Sequence, residues 1–121
     1  MQAVIYGIRN CDTMKKALAW LAAEGVAVRF HDYRKDGVDE VTLRAWCAAL
    51  GRDALINRRG TTWRKLGPAQ QTIDSDDAAV ALMLDQPSVI RRPVLALPAG
   101  ALLVGFDAEA WRRALISGTR S

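Results

Sequence analysis

The chain of 121 residues carries one histidine, two cysteines and four prolines, and it has no long unbroken apolar run. Each scarcity excludes something. One histidine, His31, and two well-separated cysteines do not supply a zinc site, so no metal is expected. Cys11 and Cys47 are too few for a disulfide framework. The natural setting is a reducing cytoplasm, where a cysteine is either reactive or simply buried. No window approaches the roughly 18 apolar residues of a membrane span. The opening Met1-Gln2-Ala3-Val4-Ile5 has no basic segment leading into an apolar one, so no secretory signal is expected. Internal repeats and low-complexity tracts are also missing. What remains is ordinary for a globular protein, 50% hydrophobic and 25% charged, which rules out disorder and collagen-like structure. The length suits one domain with a modest core.

The net charge of +4 suggests an anionic partner, but the basic residues come as singles and pairs such as Lys15-Lys16, Arg58-Arg59, Arg91-Arg92 and Arg112-Arg113. A nucleic-acid surface would show a basic stripe with interleaved aromatics, so no direct nucleic-acid contact is expected. Of the 17 basic residues, 13 are arginine. A planar guanidinium suits fixed recognition of carboxylate, phosphate or thiolate, although a GC-rich genome would produce the same bias.

Hydrophobic periodicity gives the order of elements. Residues 2–6 read as a buried strand, followed by the turn-like Gly7-Ile8-Arg9-Asn10. From Asp12 the spacing of Met14, Ala17, Leu18, Leu21 and Ala22 predicts a helix, ended by Gly25. Residues 26–33 alternate as a half-buried strand. The two strands should lie parallel across a right-handed crossover. Residues 36–85 read as short helices without strands. Leu43, Trp46, Cys47 and Leu50 form one stripe, and Ser75-Asp76-Asp77 start another helix with Ala79, Val80, Met83 and Leu84 inward. Residues 94–104 read as an antiparallel hairpin around Pro98-Ala99-Gly100. Asp107 caps a last helix with Ala110, Trp111, Ala114 and Leu115 inward, and the residues after Ser117 form a frayed tail.

The expected fold is therefore α/β: a four-stranded mixed sheet, βαβ…ββα, with an all-helical insert. One domain would span 1–117, with the sheet and its helices in 1–35 and 86–117, the insert in 36–85 capping one side, and a tail at 118–121. No apolar stripe is left conspicuously unpaired, so a monomer is expected.

Cys11 is the sharpest chemical feature. It lies where a strand's C-terminal end passes into a helix, the place where open α/β sheets put ligands. A helix N-terminus lowers a thiol's pKa and offers amide N–H groups to an anion. Asp12 opposes ionisation, whereas Arg9 and Lys15 favour it. Taken by itself, Cys11 is either an activated nucleophile or a plain cysteine at a helix start. Cys47 sits within an apolar stripe and reads as buried, its one competing role being to resolve Cys11. Arg92 precedes Pro93 at the head of a strand, and X-Pro bonds are where cis peptides occur. Arg58 lies in a polar stretch of the insert, where a loop can reach the sheet's end. Trp20, Trp46 and Trp111 read as core, and Trp63 as a residue that lines a cleft.

Taken together, the motifs resemble the ArsC/Spx family of thioredoxin-like proteins, most of all its YffB-type branch. They are Tyr6-Gly7-Ile8-Arg9-Asn10-Cys11-Asp12-Thr13 with Lys15-Lys16-Ala17, then Phe30-His31-Asp32-Tyr33-Arg34. Asn57-Arg58-Arg59-Gly60-Thr61-Thr62-Trp63-Arg64-Lys65-Leu66, Ile90-Arg91-Arg92-Pro93 and Val104-Gly105-Phe106 follow in order. The resemblance implies a redox thiol at Cys11. Asn10, Arg58, Arg92 and Pro93 would bind the substrate or glutathione, although Asn57 falls in strict register with the motif arginine. Arsenate reductases of this family carry a third arginine in the last hairpin, where Leu102 stands here, and a histidine before the cysteine, where Gly7 stands. Those departures favour a glutathione-dependent thiol–disulfide reductase over an arsenate reductase, with glutathione as co-substrate and a mixed disulfide or small molecule as substrate. The rival implication is an Spx-like regulator that binds the C-terminal domain of the RNA polymerase α subunit, though Met14 breaks the Cys-x-x-Cys sensor common there. A third possibility is a binding protein on a degenerate thioredoxin scaffold with Cys11 inert.

Overall fold

The computed structural model describes residues 2–9 and 11–119. In chain order these form β1 (Ala3–Gly7), α1 (Asp12–Ala23), β2 (Val28–Asp32), α2 (Glu40–Leu50), α3 (Arg52–Leu55), α4 (Thr61–Arg64), α5 (Pro68–Gln71), α6 (Asp76–Asp85), β3 (Val94–Ala96), β4 (Leu102–Val104) and α7 (Ala108–Thr119). A 3-10 turn at Pro87–Val89 follows α6. The residues form two compact units. One runs up to Asp32 and resumes at Arg92; the other is Tyr33–Arg91.

The first unit holds a four-stranded sheet in the order β2-β1-β3-β4. β1 and β2 are parallel, in register from Ala3↔Val28 to Gly7↔Asp32. β3 runs antiparallel to β1 with Tyr6 opposite Val94, and β4 antiparallel to β3. The sheet is therefore mixed, as its hydrophobic pattern predicts, and it is thioredoxin-like in topology. One face is sealed by α1 and α7: Ala3, Ile5, Met14, Ala17, Leu21, Leu95, Leu97 and Trp111 form a single buried cluster. Met14, Ala17 and Leu21 are the buried stripe of α1, because residues three and four apart share a helix face. Helix α1 stops where Gly25 takes a positive φ of 72°, a conformation nearly free of penalty only for glycine.

Trp111 is the largest side chain in this cluster. It meets Phe106 and Trp20 edge-to-face, with ring centroids 5.0 and 6.1 Å apart. Its indole Nε1–H donates to the Gly105 carbonyl at 3.1 Å. Asp107 caps α7 by accepting from the amides of Glu109 and Ala110. Helix α7 runs to Thr119, two residues into the segment read as a tail; residues 120 and 121 lie outside the described residues.

The second unit is helical apart from one isolated bridge between Ile56 and Ile90. Asp39 caps α2 and Ser75 caps α6, each accepting an amide hydrogen bond in the first turn. Leu43, Trp46 and Cys47 are buried on α2. On α6 the structure departs from the expected stripe at two positions: Leu82 is buried and Leu84 exposed. The buried residues of α6, Ala79, Val80, Leu82 and Met83, form one arc of the helix, turned towards Leu82 from the stripe expected. Arg44 pairs with Glu40 and Asp77, and Arg52 with Asp76, all at 2.7–2.9 Å. Among the described residues, no helix is long and apolar enough to cross a membrane.

Trp111→Ala should lower the stability of the fold by ~3–5 kcal/mol through lost burial and the cavity left behind. Trp111→Phe, which loses the hydrogen bond but keeps an aromatic ring, should be milder. Urea unfolding of the three proteins measures both.

Candidate active site around Cys11

The end of β1 and the start of α1 make the site. After Gly7 the chain turns through the buried Ile8 and the exposed Arg9 and enters α1 at Cys11, the N-cap residue, with extended φ and ψ of −99° and 130°. The Cys11 carbonyl accepts the first helical hydrogen bond, from Lys15 N–H at 3.0 Å. Its side chain makes no capping hydrogen bond. The first-turn amides therefore remain available to a thiolate, for which they are suited acceptor-seeking donors at the positive end of the helix.

Arg92 reaches the same place from the opposite end of the sequence. β3 runs antiparallel to β1 with Val94 opposite Tyr6, so the residues just before Val94 lie beyond the C-terminal end of β1, where Cys11 is. The Arg92–Pro93 peptide is cis. Pro93 is buried, and its carbonyl accepts from Gly105 N–H at 2.8 Å.

Cys11 is half-buried, and burial pushes the thiol up. The amides of Met14 and Thr13, with the hydrogen bond and positive charge of Arg92, push it down and prevail, leaving Cys11 below the ordinary cysteine value. Cys47 is the reverse case. Burial and then the Asp76 carboxylate raise it, only partly offset by Arg52 and Arg44. A buried, protonated thiol is a poor nucleophile.

The side-chain cation acting on Cys11 is not one of its sequence neighbours. Arg9 instead places its guanidinium over the Phe30 ring, 5.6 Å from the centroid, where the ring's negative face holds it. Arg58 lies in the second unit and is exposed. It pairs with Asp53 at 3.0 Å and stacks over Trp63, with its guanidinium carbon 5.3 Å from the ring centroid. Trp63, read as a cleft residue, is thus the platform for Arg58. Asn57 accepts from Arg59 N–H through its own side chain, an Asx turn that shapes the loop. Asn10 lies outside the described residues. Of the residues singled out from sequence, the structure brings together Cys11 and Arg92, with Pro93 next to Arg92 across the cis bond. His31 packs against Tyr6 with the rings tilted and their centroids 4.8 Å apart, and among the described residues no cluster of His, Cys, Asp or Glu could hold a metal ion.

One contact escaped the sequence reading. A Cβ on Gly7 would strike the Met14 side chain, with Cε only 2.7 Å away. The signal for it was present: the inward-facing positions of β1 are Ala3, Ile5 and then Gly7, and a glycine on the packed face of a strand marks close approach.

Iodoacetamide alkylation of Cys11 against pH should titrate below the ordinary thiol range, and Arg92→Gln should raise the midpoint. Cys47 should react only on unfolding. Because the folded-state pKa is depressed, the folded state binds fewer protons than the unfolded one between the two values. The stability of wild type relative to Cys11→Ser should therefore rise with pH through the folded-state titration and level off above the unfolded value. Denaturant midpoints across pH measure it.

A model of the ArsC family matches residues 6–114. A solved structure of the YFFB protein aligns with a TM-score of 0.89 and 51% identity, over 94% of this chain and 99% of that one. An uncharacterized protein of Haemophilus influenzae is 39% identical over 110 residues, 91% of this chain and 96% of its own length. An arsenate reductase of Rhizobium meliloti is 31% identical over 106 residues, 85% of this chain and 74% of its own. This kinship supports a thiol-based reductase. With the match running over most of its length and the fold shared, the chain belongs to the ArsC family, in its YffB branch.

Proposed function

We propose that the protein is a glutathione-dependent thiol–disulfide reductase with Cys11 as its one nucleophile. The observation that carries this reading is the environment of Cys11, where first-turn amides and Arg92 favour the thiolate against partial burial. The Cys11 thiolate attacks the glutathione sulfur of a mixed disulfide. A Cys11–glutathione disulfide forms, and the substrate leaves as a thiolate that takes up a proton. The thiolate of a second glutathione attacks the glutathione sulfur of that adduct, releasing oxidised glutathione and restoring the Cys11 thiolate. The incoming glutathione sulfur is oxidised as the substrate sulfur is reduced, and one disulfide bond is exchanged for another. With methionine at position 14 and Cys47 buried and protonated, the second thiol comes from solution.

Arg92 stabilises the attacking sulfur and, with its guanidinium at the thiol, offers a charge-assisted partner for a glutathione carboxylate. A role for Arg58 and for Asn10 in binding the anionic part of the substrate rests on the family resemblance alone. Arsenate reduction is the second reading, favoured by the kinship with the Rhizobium meliloti arsenate reductase. Against it, the segment from Pro93 to Trp111 contains no arginine, and Gly7 stands where a histidine would.

Cys11→Ser should abolish turnover of a glutathione mixed disulfide, measured by coupling oxidised glutathione to its NADPH-dependent reductase. Arg92→Ala should lower kcat/KM by roughly ten- to a hundredfold, as loss of a charge-assisted hydrogen bond predicts. Unchanged turnover in Cys11→Ser would overturn the mechanism, and faster turnover of arsenate than of the mixed disulfide would favour the second reading.

A further inference from the structure

Gly7 and Met14 meet at the point where β1 gives way to α1. Gly7 is the last residue of β1, and its side-chain direction is occupied by the Met14 thioether: a Cβ there would collide with Sδ and Cε and lie 3.2 Å from Cγ. Met14 is 1% exposed, so this end of the side chain is packed. Met14 is also in the first turn of α1, and it belongs to the buried cluster against which Cys11 itself is packed. Its side chain and its backbone therefore do different things. The side chain fills a notch in the strand, and the N–H belongs to the turn beside the Cys11 sulfur.

Hydrogen bonds to a charged sulfur depend on direction as well as distance, and the first turn of a helix has no preceding turn to hold it. We propose that Met14 is a positioning residue: seated in the notch left by Gly7, it clamps the first turn of α1 to the end of β1 and aims the Thr13 and Met14 amides at Cys11. This assignment rests on Cys11 being the working thiolate, and it extends that reading to the side chain that holds the site in shape. Residues that lock a reactive group through packing are felt in its chemistry as well as in stability.

The test is the pH dependence of Cys11 alkylation, separated from Cys47 by peptide mass, in wild type, Met14→Ala, Met14→Leu, Gly7→Ala and the double variant Gly7→Ala/Met14→Ala. Unfolding is followed in parallel. Met14→Ala should raise the Cys11 midpoint by about one pH unit, the worth of one hydrogen bond to a charged group. Met14→Leu, of similar length and unbranched at Cβ, should restore most of the wild-type midpoint. Gly7→Ala should raise it by displacing the thioether. In the double variant the collision is gone, so the midpoint should be no higher than in Met14→Ala, a non-additivity expected of residues that share one contact. If Met14→Ala does not fold, Gly7→Ala against wild type decides the matter. Variants that lose stability while the midpoint stays put would overturn the assignment and leave Met14 as packing only. An ordinary cysteine midpoint in wild type would overturn the reading of Cys11 itself, and this assignment with it.

Discussion

The seating of α1 on β1 is the contact from which the rest of the sheet-bearing unit follows. Met14, Ala17 and Leu21 pack onto Ala3 and Ile5, with Trp111 closing the cluster from α7. A helix laid against the strand that precedes it runs back along the sheet, so the next strand, β2, joins beside β1 in the same direction. The same packing leaves the helix N-terminus at the carboxyl end of β1, with its amides clear of the core and Cys11 half in and half out of it. Without that apolar contact the parallel pairing has no connection of the right length, and the thiol has no dipole beneath it.

Cys11 lies in a balance of opposed effects. Partial burial disfavours its charged form, and the helix amides and Arg92 outweigh that penalty. Cys47 shows the outcome without such donors: burial dominates, a carboxylate adds to it, and the proton stays on. The arginines near Cys47 are committed elsewhere, Arg44 to Glu40 and Asp77 and Arg52 to Asp76. Those pairs are exposed and contribute little to stability. Two cysteines in one short chain thus have opposite chemistry for reasons that lie in their surroundings.

Much of this was legible in the sequence, and the exceptions have physical causes. The spacing of Met14, Ala17 and Leu21, the alternation around Val28 and Phe30, and the caps at Ser75 and Asp107 each express a local rule, and each element formed where the rule put it. Helices α3, α4 and α5 have four residues each, too short for any period to declare itself. Leu82 and Leu84 were exchanged because either fits a stripe with Ala79, Val80 and Met83, and only the packing decides which side of that stripe is covered. At the site, the placement of Cys11 between β1 and α1 was local information, and the structure has it as the N-cap of α1. The cation beside it was not local. Arg9 is a near neighbour in the chain, yet the ring of Phe30 claims it; Arg92 was singled out through its place before Pro93 and through the resemblance, and the pairing of β3 with β1 is what carries it to Cys11. Arg58 was singled out by resemblance, and its partners Asp53 and Trp63 reflect packing within its own helical unit.

The remoteness of Arg92 has a consequence for the history of each molecule. Helix α1 has twelve residues, marginal by itself in water, and Arg92 is delivered only when β3 pairs with β1. That pairing closes a loop containing most of the chain, the kind of long-range contact that slows folding. An emerging or misfolded copy therefore carries a Cys11 that lacks both the helix amides and Arg92 and has the pKa of an ordinary cysteine. The lowered thiol pKa at Cys11 is thus a property of the completed architecture, as is the burial that covers Cys47.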